Sequence, residues 1–440
     1  MTTTPTARHL LVLSTGNPLL ERALLARGHR VSLVVPATIA SQQRRENPDI
    51  EVWGISDWGD DDSLAKIAAV LPSSIDTVAT IDEQAIRAAA VLRAALGLPG
   101  QDVASATAST DKARMKDRLA EAGIPVAAHR IVQVARAAKG TGVADIPSAA
   151  EELGWPVVVK PRAGVGTVAT FRLAGPDDLD AALARGAFDT VPSDPGARFT
   201  AGSLSRTLHE QVGGFLVERA LDVVAEYSCD TYIHDGEPLL SVPVRFEAPL
   251  LQIAGGGWHH TLLDPASPHG RIVADLALRA TRAINVTTGV THTEVLCTSD
   301  GQWWLGEIGA RPGGAGIVPA AALAYGFDPP CTLAALSLGE RPVLPNELLH
   351  RDLTTVLLGP PPGIVRRVRT GEQIAALPGV LDVDLHLAAG QPTPLTQGSM
   401  GAGGRIVLIP TGTAPIAEQV KELIVAVGLE LDPPAWAAAA

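Results

Sequence analysis

The chain has 440 residues, of which 46% are hydrophobic, and a formal net charge of −12. This length predicts roughly two to four domains, and the negative charge argues against a general nucleic-acid binder, because no broad basic face is available for phosphate backbones. The three cysteines, Cys229, Cys297 and Cys331, form no CxxC pair, and no apolar run is long enough for a signal peptide or a membrane span, so we expect a cytoplasmic protein with reduced cysteines and no membrane partner.

The N-terminal segment alternates between strands and helices. The stretch HLLVLSTGNPLLERALLARGHRVSLVVP predicts strand, helix and strand, with Gly28 ending the helix. Short continuous apolar runs of this kind are typical of strands buried on both faces of a parallel sheet. The glycines after the first strand do not form GxGxxG, so the pattern does not support a dinucleotide site. We therefore predict a parallel α/β domain over residues 1–105.

The middle of the chain predicts further helices and antiparallel strands. Ser109 or Thr110 can cap a helix that runs to Gly123, and the segment GWPVVVKPRAGVGTVATFRL predicts strand, glycine-containing loop and strand. Asp235-Gly236 separates two further strands as a hairpin turn. From about residue 341 the sequence predicts a smaller α/β domain that ends in the helix APIAEQVKELIVAVGL.

A second hairpin, THTEVLCTSDGQWWLGEIGARPGG, carries two acids. If Asp300-Gly301 is a two-residue turn, Glu294 and Glu307 lie directly opposite each other on one face of the ladder, and Leu296, Thr298, Trp303 and Leu305 share that face. Like charges in this position repel, so either one acid is protonated or a cation bridges them. Mg²⁺ prefers a few carboxylates with phosphate oxygens and water, which suits a nucleotide site. The alternative is a solvated face with unrelated glutamates.

Basic residues near small residues are candidates for phosphate binding. Lys160 ends the apolar strand WPVVV and precedes a loop with Gly164, Gly166 and Thr167, whose backbone N–H groups can approach phosphate oxygens. The loop is not a GxxxxGK[ST] motif. Lys112 is a second candidate phosphate ligand, whereas Lys116 is interpreted as an exposed helix residue. Arg311, close after Glu307, can bind phosphate or carboxylate oxygens bidentately, although it could also be an ordinary loop arginine.

Other polar residues give weaker signals. Glu218 and Glu226, eight residues apart, could bind a ribose, and the backbone of Glu218, Arg219 and Leu221 could bind an adenine edge. The Gly-rich segment LLQIAGGGWHHTLLDP could be a loop closing over a substrate, with His259 or His260 contacting a carboxylate, or a surface loop with incidental histidines. His292 shares the face of Glu294 and is either a substrate contact or a structural histidine. Arg245 and Glu83 are weaker candidates for substrate binding.

Four motifs in this order resemble the ATP-grasp superfamily: DK, then PVVVKP with a glycine loop, then VERAL…EYSCD, then TE…GEIGARPGG. The chain is similar to the carboxylate–amine ligases of that superfamily, especially its L-amino acid (dipeptide) ligase branch. The resemblance implies an α/β (α+β grasp) fold. An N-terminal pre-ATP-grasp domain would precede an ATP-grasp domain over residues 106–340, with antiparallel sheets and a lid over about 126–215, and a C-terminal domain would follow over 341–440.

The resemblance also implies roles for the candidate residues. Lys112 and Lys160 would bind ATP phosphates, Glu218, Arg219 and Leu221 would line the adenine site, and Glu226 would hold the ribose. Glu294 and Glu307 would ligate Mg²⁺, with Mn²⁺ as an alternative ion, and Arg311 would stabilise the phosphate. Such enzymes usually have an asparagine two residues after the second glutamate, where this chain has Gly309. Water or another side chain would then complete the ligation, or the ligation would be weaker.

The function implied is an ADP-forming ligase that joins an amino acid carboxylate to an amine through an acyl phosphate. Small-molecule substrates are expected as partners, without nucleic acid, and a homodimer is expected from the resemblance alone. Two alternatives stay open. One is a carboxylase of the biotin-carboxylase type, and the other is a non-catalytic nucleotide-binding protein, which the glycine at position 309 suggests.

Overall fold

The computed structural model describes residues 7–133, 135–136, 141–142, 145–188, 212–253, 257–345, 347–394 and 403–433. Parts of the predicted lid, including residues 189–211, and residues 254–256 of the predicted closing loop lie outside these ranges. No helix within the described ranges has the length and apolar character required to span a bilayer.

The N-terminal unit is a parallel sheet with helices, as predicted. Its strands lie in the order β3-β2-β1-β4, all pairs being parallel. A short 3₁₀ turn, Glu83–Ala85, follows the last of these strands. The elements are β1 (His9–Leu13), α1 (Leu19–Ala26), β2 (Arg30–Pro36), α2 (Ala37–Glu46), β3 (Val52–Ile55), α3 (Asp61–Val70), β4 (Thr77–Ala79), α4 (Ile86–Leu96) and α5 (Val103–Ala108).

A small antiparallel sheet follows, with strand order β5-β10-β8-β9. The side chains of Phe171, Phe188 and Phe215 pack edge to face in its core. The elements of this part are α6 (Lys112–Glu121), β5 (His129–Val132), β6 (Ala135–Arg136), β7 (Thr141–Gly142), α7 (Ile146–Leu153), β8 (Val157–Pro161), β9 (Phe171–Leu173), α8 (Pro176–Ala184) and β10 (Phe215–Arg219).

The cap of helix α6 differs from the prediction. The side chain of Asp111, not of Ser109 or Thr110, accepts a hydrogen bond from the N–H of Ala113. Asp111 is an equally good capping residue, and its use starts the helix at Lys112. Lys112 therefore lies in the first turn, next to the end of strand β8.

A large antiparallel sheet dominates the rest of the molecule, in the order β15-β14-β11-β12-β13-β16-β19-β18, and β17 and β20 form a separate two-stranded sheet. The last three strands of the large sheet belong to the segment predicted as a separate C-terminal domain, so one sheet crosses that boundary. The elements are β11 (Val223–His234), β12 (Glu237–Phe246), α9 (Leu250–Ile253), β13 (Trp258–Leu262), α10 (Pro268–Ala283), β14 (Gly289–Thr298), β15 (Trp303–Gly309), α11 (Ile317–Tyr325), α12 (Pro329–Ser337), β16 (Thr354–Leu358), β17 (Ile364–Arg367), α13 (Gly371–Ala375), β18 (Val380–Leu385), β19 (Gly404–Leu408), α14 (Ile416–Val427) and β20 (Glu430–Asp432).

The hairpin β14–β15 brings Glu294 opposite Glu307, as predicted, but by a different path. The turn is a three-residue loop over 299–301, closed by a hydrogen bond from the N–H of Thr298 to the carbonyl of Gln302 at 3.0 Å. Gly301 has a φ of +78°, as the last position of such a loop requires. A two-residue turn was therefore wrong.

A β-bulge at Gly306 restores the predicted pairing. Between Glu294 and Val295 the register shifts by one residue, so Val295 pairs with Leu305 while Glu294 pairs with Glu307. Leu305, and by the same alternation Trp303, pack in the core beside helix α10 rather than on the face of the acids. Their predicted position was wrong, because the bulge changes which residues face each side.

Candidate active site

A cavity of about 460 Å³ lies between the small sheet and the hairpin β14–β15. Its walls contain every residue that the sequence assigned to ATP, metal or catalysis. These are Lys112, Lys160, Gly164, Gly166, Thr167, Glu218, Arg219, Leu221, Glu226, Glu294, Glu307 and Arg311. They come from strands β8, β10, β11, β14 and β15, helix α6 and adjoining loops. Residues as far as about 200 positions apart in the chain therefore meet in one site.

The pKa values of the two facing acids are shifted in opposite directions. Burial, followed by the charge of Glu307, raises the pKa of Glu294. Burial also acts on Glu307, but Lys112 and Lys160 outweigh it and lower the pKa of Glu307. The lysines thus outweigh burial at Glu307 but not at Glu294, as expected where a further cation is needed.

Lys112 is tied to both sides of the cavity. Its Nζ lies 2.7 Å from Oε1 of Glu307 and donates to the carbonyl of Gly164 at 2.8 Å. The ammonium therefore links the acid pair to the glycine-containing loop. In that loop Thr167 has a φ of +60°, a conformation that turns successive backbone amides toward one side.

Lys116 is buried, and its interpretation as an exposed residue was wrong. Only 1% of its side chain is exposed, and its Nζ lies 3.1 Å from Oε1 of Glu218. Lys160 Nζ lies at the same distance from the same oxygen. The second turn of α6 faces the cavity because Met115 and Leu119 pack into the core beneath it. A 3.6-residue period could have shown this face, since Lys116 follows Lys112 by four residues.

Glu218 and Glu226 have opposite electrostatics. Burial alone would raise the pKa of Glu218, but Lys116 and Lys160 outweigh burial and lower it to about 2. Burial, followed by the charge of Glu294, raises the pKa of Glu226 to about 8. Glu226 accepts a hydrogen bond from the N–H of Leu250 at 2.8 Å.

Arg311 joins the site to the N-terminal unit. Its Nε donates to Oε2 of Glu83, and Nη1 donates to the carbonyl of Pro312 at 2.9 Å. A Cβ on Gly309 would lie 3.0 Å from the same Glu83 oxygen. Glu83, only a weak candidate in the sequence, thus fills the space beside Gly309. Its position after strand β4 was the available signal, because ligand-binding residues collect at the carboxyl ends of parallel strands.

The predicted substrate residues lie elsewhere. His259 and His260 are buried on strand β13, not on a closing loop. His259 Nδ1 lies 2.7 Å from Glu247, and His260 Nε2 lies 2.9 Å from the carbonyl of Ala315. Burial lowers the pKa of His260 to about 4. Arg245 is exposed on strand β12. None of the three lines the described wall of the cavity.

His292 lies opposite Gly309 and belongs to a buried pair. Its Nδ1 is 2.7 Å from Asp230, whose other oxygen accepts the N–H of Gly313 at 2.8 Å. This arrangement favours the structural interpretation of His292, since the pair fixes the backbone just after Arg311.

The cavity fits a nucleotide-bound divalent ion. Among the described residues, no group of three or more His, Cys, Asp or Glu side chains is arranged to hold a metal by itself. Glu294 and Glu307 supply two carboxylates, and lysines and a glycine loop for phosphate oxygens lie beside them. Mg²⁺ in nucleotide sites is commonly held in this way, by one or two carboxylates, phosphates and water.

Comparisons with known proteins point to one fold. No model of a known protein family matches the chain. Over 242 residues it is 29% identical to an L-arginine-specific L-amino acid ligase from Bacillus subtilis, a match over 55% of this chain and 52% of that protein. The chain thus spans about half the length of this curated relative.

Two solved structures extend the comparison. The first is an L-amino acid ligase from Bacillus licheniformis, with a TM-score of 0.67, 17% identity, and coverage of 97% of this chain and 99% of that chain. The second is the biotin carboxylase domain dimer of the Hydrogenobacter thermophilus 2-oxoglutarate carboxylase, bound to MgADP, ADP and bicarbonate. Its TM-score is 0.61 with 14% identity, over 97% and 90% of the two chains. The fold is therefore that of the ATP-grasp enzymes.

Proposed function

We propose that this chain, which has the fold of the ATP-grasp enzymes, is an ATP-dependent carboxylate–amine ligase. It would activate an amino acid carboxylate as an acyl phosphate, couple it to an amine and release ADP and phosphate. The observation that carries the proposal is the facing pair Glu294 and Glu307 in one cavity with Lys112, Lys160 and Arg311. The partial match to an amino acid ligase favours this chemistry over the others of the fold.

ATP would lie along the cavity with its phosphates at the acid pair. Lys112, Lys160 and the backbone of Gly164, Gly166 and Thr167 would bind the phosphates. The base would lie against Glu218, Arg219 and Leu221, and Glu226 would bind the ribose. Glu294 and Glu307 would hold Mg²⁺, which when bound neutralises the phosphate oxygens and orients them for transfer.

The reaction requires two anions to meet. A substrate carboxylate oxygen attacks the γ-phosphorus of ATP, and the bond to the β-phosphate oxygen breaks, giving ADP and an acyl phosphate. The lone pair of a neutral amine then attacks the acyl carbon, phosphate leaves with its bridging oxygen, and the amine loses a proton. Lys112, Lys160 and Arg311 would offset the charge that accumulates in the first step.

A phosphate-release screen over pairs of amino acids, L-arginine included, tests the proposal. We expect ADP and phosphate only with productive pairs, and mass spectrometry should detect the amide product. Bicarbonate replaces the amino acids in a second arm, because a carboxylase would release phosphate there. No phosphate release with any amino acid pair, together with release in the bicarbonate arm, would contradict the ligase function.

We also propose that the protein is cytoplasmic, that Mg²⁺ is its usual ion with Mn²⁺ able to replace it, and that the chain forms a homodimer. The comparison structure of the 2-oxoglutarate carboxylase domain is a dimer with magnesium, which supports the proposals of a homodimer and of Mg²⁺ as the ion. Light scattering of the purified chain, and activity with each metal in turn, test them.

A further inference from the structure

A second cavity, of about 350 Å³, lies between the N-terminal unit and the large sheet. Strand β4, the C-terminal end of helix α12 and the segment before strand β14 form its walls. The exposed residues Pro99, Gly100 and Thr287 belong to its rim, so the cavity opens to solvent. Among the residues that the structure describes, Arg311 alone also lines the proposed nucleotide cavity. The second cavity has the size of a small-molecule site, a class that begins at roughly 300 Å³.

Arg93 of helix α4 brings to this wall a positive charge that no acid compensates. Its Nε donates to the carbonyl of Val78 at 3.0 Å, and its Nη1 donates to the carbonyl of Gln101 at 3.2 Å. No carboxylate in the described part of the chain forms an ion pair with Arg93, and burial lowers the pKa of its guanidinium to about 10. A guanidinium has five N–H donors, so donors remain beyond these two bonds. An anionic ligand would replace the hydration that burial removes.

The other charged groups of the second cavity are already paired or exposed. Arg8 Nε lies 3.0 Å from Asp76, and Arg311 donates to Glu83. Asp235 is exposed over 81% of its side chain. The wall thus carries one uncompensated positive charge, which matches a ligand with a single negative charge. A phosphate dianion would bring a second charge without a partner.

The wall formed by strand β4 favours a ligand with a peptide-like backbone. β4 is the outermost strand of the parallel sheet, so within the described ranges only one of its long sides is paired with another strand. Thr77, Val78 and Ala79 of this strand line the cavity. An edge strand presents backbone N–H and C=O groups to which an extended chain can bond, and a guanidinium suits a planar carboxylate. An extended backbone that ends in a carboxylate would use both features.

We propose that the second cavity binds a short peptide-like molecule with a free carboxylate, and that Arg93 is its anion-binding group. The inference does not depend on the ligase function, because it rests on the charge of Arg93 and on the edge strand β4. If the ligase forms dipeptides, its product belongs to this class of ligand. Arg311, which lines both cavities, then connects the product site to the reaction centre.

Calorimetry of L-alanyl-L-alanine with the nucleotide-free full chain tests this site. L-alanyl-L-alaninamide has the same backbone without the carboxylate and is the matched ligand. We expect the wild type to bind the dipeptide roughly tenfold or more tightly than the amide, because the amide loses a charge-assisted hydrogen bond to the arginine. Arg93→Met should weaken dipeptide binding by a similar factor, so that the variant no longer distinguishes the two ligands.

A matched control variant and a second measurement on the wild type sharpen the test. Arg87→Met makes the same substitution on the same helix, where Arg87 pairs with Asp61 at 2.8 Å and does not line the cavity, so it should change neither affinity. Thermal melting shows whether Arg93→Met folds. If it does not, modification of the wild type with phenylglyoxal, followed by peptide mapping, replaces it. The dipeptide should protect Arg93 from modification, the amide should not, and neither should protect Arg87.

The outcomes are distinct from those that test the ligase function. Equal dipeptide affinity in the wild type and a folded Arg93→Met variant overturns the role of Arg93, as does equal protection of Arg93 by the dipeptide and its amide. A wild-type chain that does not bind the dipeptide, or that binds inorganic phosphate there in its place, overturns the class of ligand. Failure of the amino acid screen overturns the proposed function and leaves this site in place.

Discussion

At the scale of single residues, the acids of the cavity differ mainly in which lysines they contact. Glu218 and Glu307 each lie within 3.1 Å of a lysine Nζ, and their pKa values are lowered. Glu226 and Glu294 lack such a contact among the described residues, and burial raises their pKa values. The same cavity thus holds carboxyls whose pKa values lysines lower and carboxyls whose pKa values burial raises, to about 8 at Glu226.

Glu226 gives a prediction about pH and stability. Its pKa is raised from 4.5 to about 8, so between these values the folded chain holds a proton that the unfolded chain releases. Stability of the nucleotide-free protein should therefore fall as pH rises from about 5 to 8, by at most about 1.4 kcal/mol per pH unit from this group. Glu21, with a pKa raised to about 7 by burial, acts in the same direction.

Melting temperatures across this pH range check the prediction. Glu226→Gln carries no proton to lose, so its melting temperature should depend less steeply on pH and exceed that of the wild type at pH 8. Glu422→Gln, at an exposed position of helix α14, serves as the control. Parallel profiles for wild type and Glu226→Gln would show that Glu226 is ionised throughout.

Glu307 gives a prediction about the metal. Glu307→Gln removes one of two carboxylates at the proposed ion site and also the partner of Lys112 at 2.7 Å. We expect the Mg²⁺ needed for half-maximal ADP binding to rise by at least the roughly 10- to 100-fold that loss of a supporting ligand contact costs, and ligase activity to disappear. Titration of Mg²⁺ at fixed ADP measures this, with exposed Glu121→Gln as the control. A fully active Glu307→Gln variant would refute the metal assignment.

At the scale of elements, the loop after strand β15 determines where Arg311 lies. Asp230 accepts the N–H of Gly313 at 2.8 Å and contacts His292 Nδ1 at 2.7 Å. A Cβ on Gly313 would lie 2.6 Å from Asp230 Oδ1 and 2.7 Å from that nitrogen. The two side chains contact each other and Asp230 is fully buried, so we expect the loop rather than the pair to move.

Gly313→Ala should therefore displace Arg311 and lower kcat at least about tenfold, since small misplacements of catalytic groups have large kinetic effects. ADP affinity should change little, because the nucleotide is bound mainly by other elements. Gly314→Ala, at the next and exposed position, is the matched control. Equal kinetics for the two variants would mean that the buried pair does not position the loop.

The same hairpin explains how far the sequence could predict the site. The Asp-Gly signal correctly joined β14 to β15 and put Glu294 opposite Glu307, but the three-residue turn and the bulge at Gly306 were missed. The longer turn and the bulge shift the register by one residue in opposite directions, so the predicted pairing of the two acids is kept. The pairing of Leu305 is not kept, and the face of the sheet predicted for it was wrong. Turn length and the position of a bulge also depend on how the hairpin packs against other elements, here helix α10. A short stretch of sequence carries no information about that packing.

Residues that meet through long-range packing were harder to predict. The alternating strands and helices identified the parallel sheet, because each element carries its own apolar pattern. Lys116 was predicted to be exposed, because its burial depends on strand β10, which lies about 100 residues later in the sequence. His259 and His260 were assigned to a loop by their glycine-rich neighbours, although they form strand β13, which pairs with the distant strand β16.

At the scale of the whole molecule, the N-terminal unit completes the site that the large sheet begins. Glu83 follows the edge strand β4 and contacts Arg311, which follows strand β15. A second ion pair between the same parts, Arg27 with Glu340, lies away from the cavity. The first ion pair holds a proposed catalytic group, whereas neither residue of the second ion pair lines the cavity. Substitutions in the two ion pairs can therefore distinguish an effect on catalysis from an effect on the stability of the interface.

We expect Glu83→Gln to lower kcat roughly 10- to 100-fold while ADP affinity stays within about twofold, because the neutral amide releases the Arg311 guanidinium without altering the nucleotide contacts. Glu340→Gln removes a carboxylate from the same interface and should leave kcat unchanged. Steady-state kinetics and calorimetry on the two variants measure both quantities. If the interface merely stabilised the fold, the two substitutions would reduce melting temperature and activity in parallel. A selective loss of kcat in Glu83→Gln instead requires that the parallel sheet helps to orient the arginine at the reaction centre.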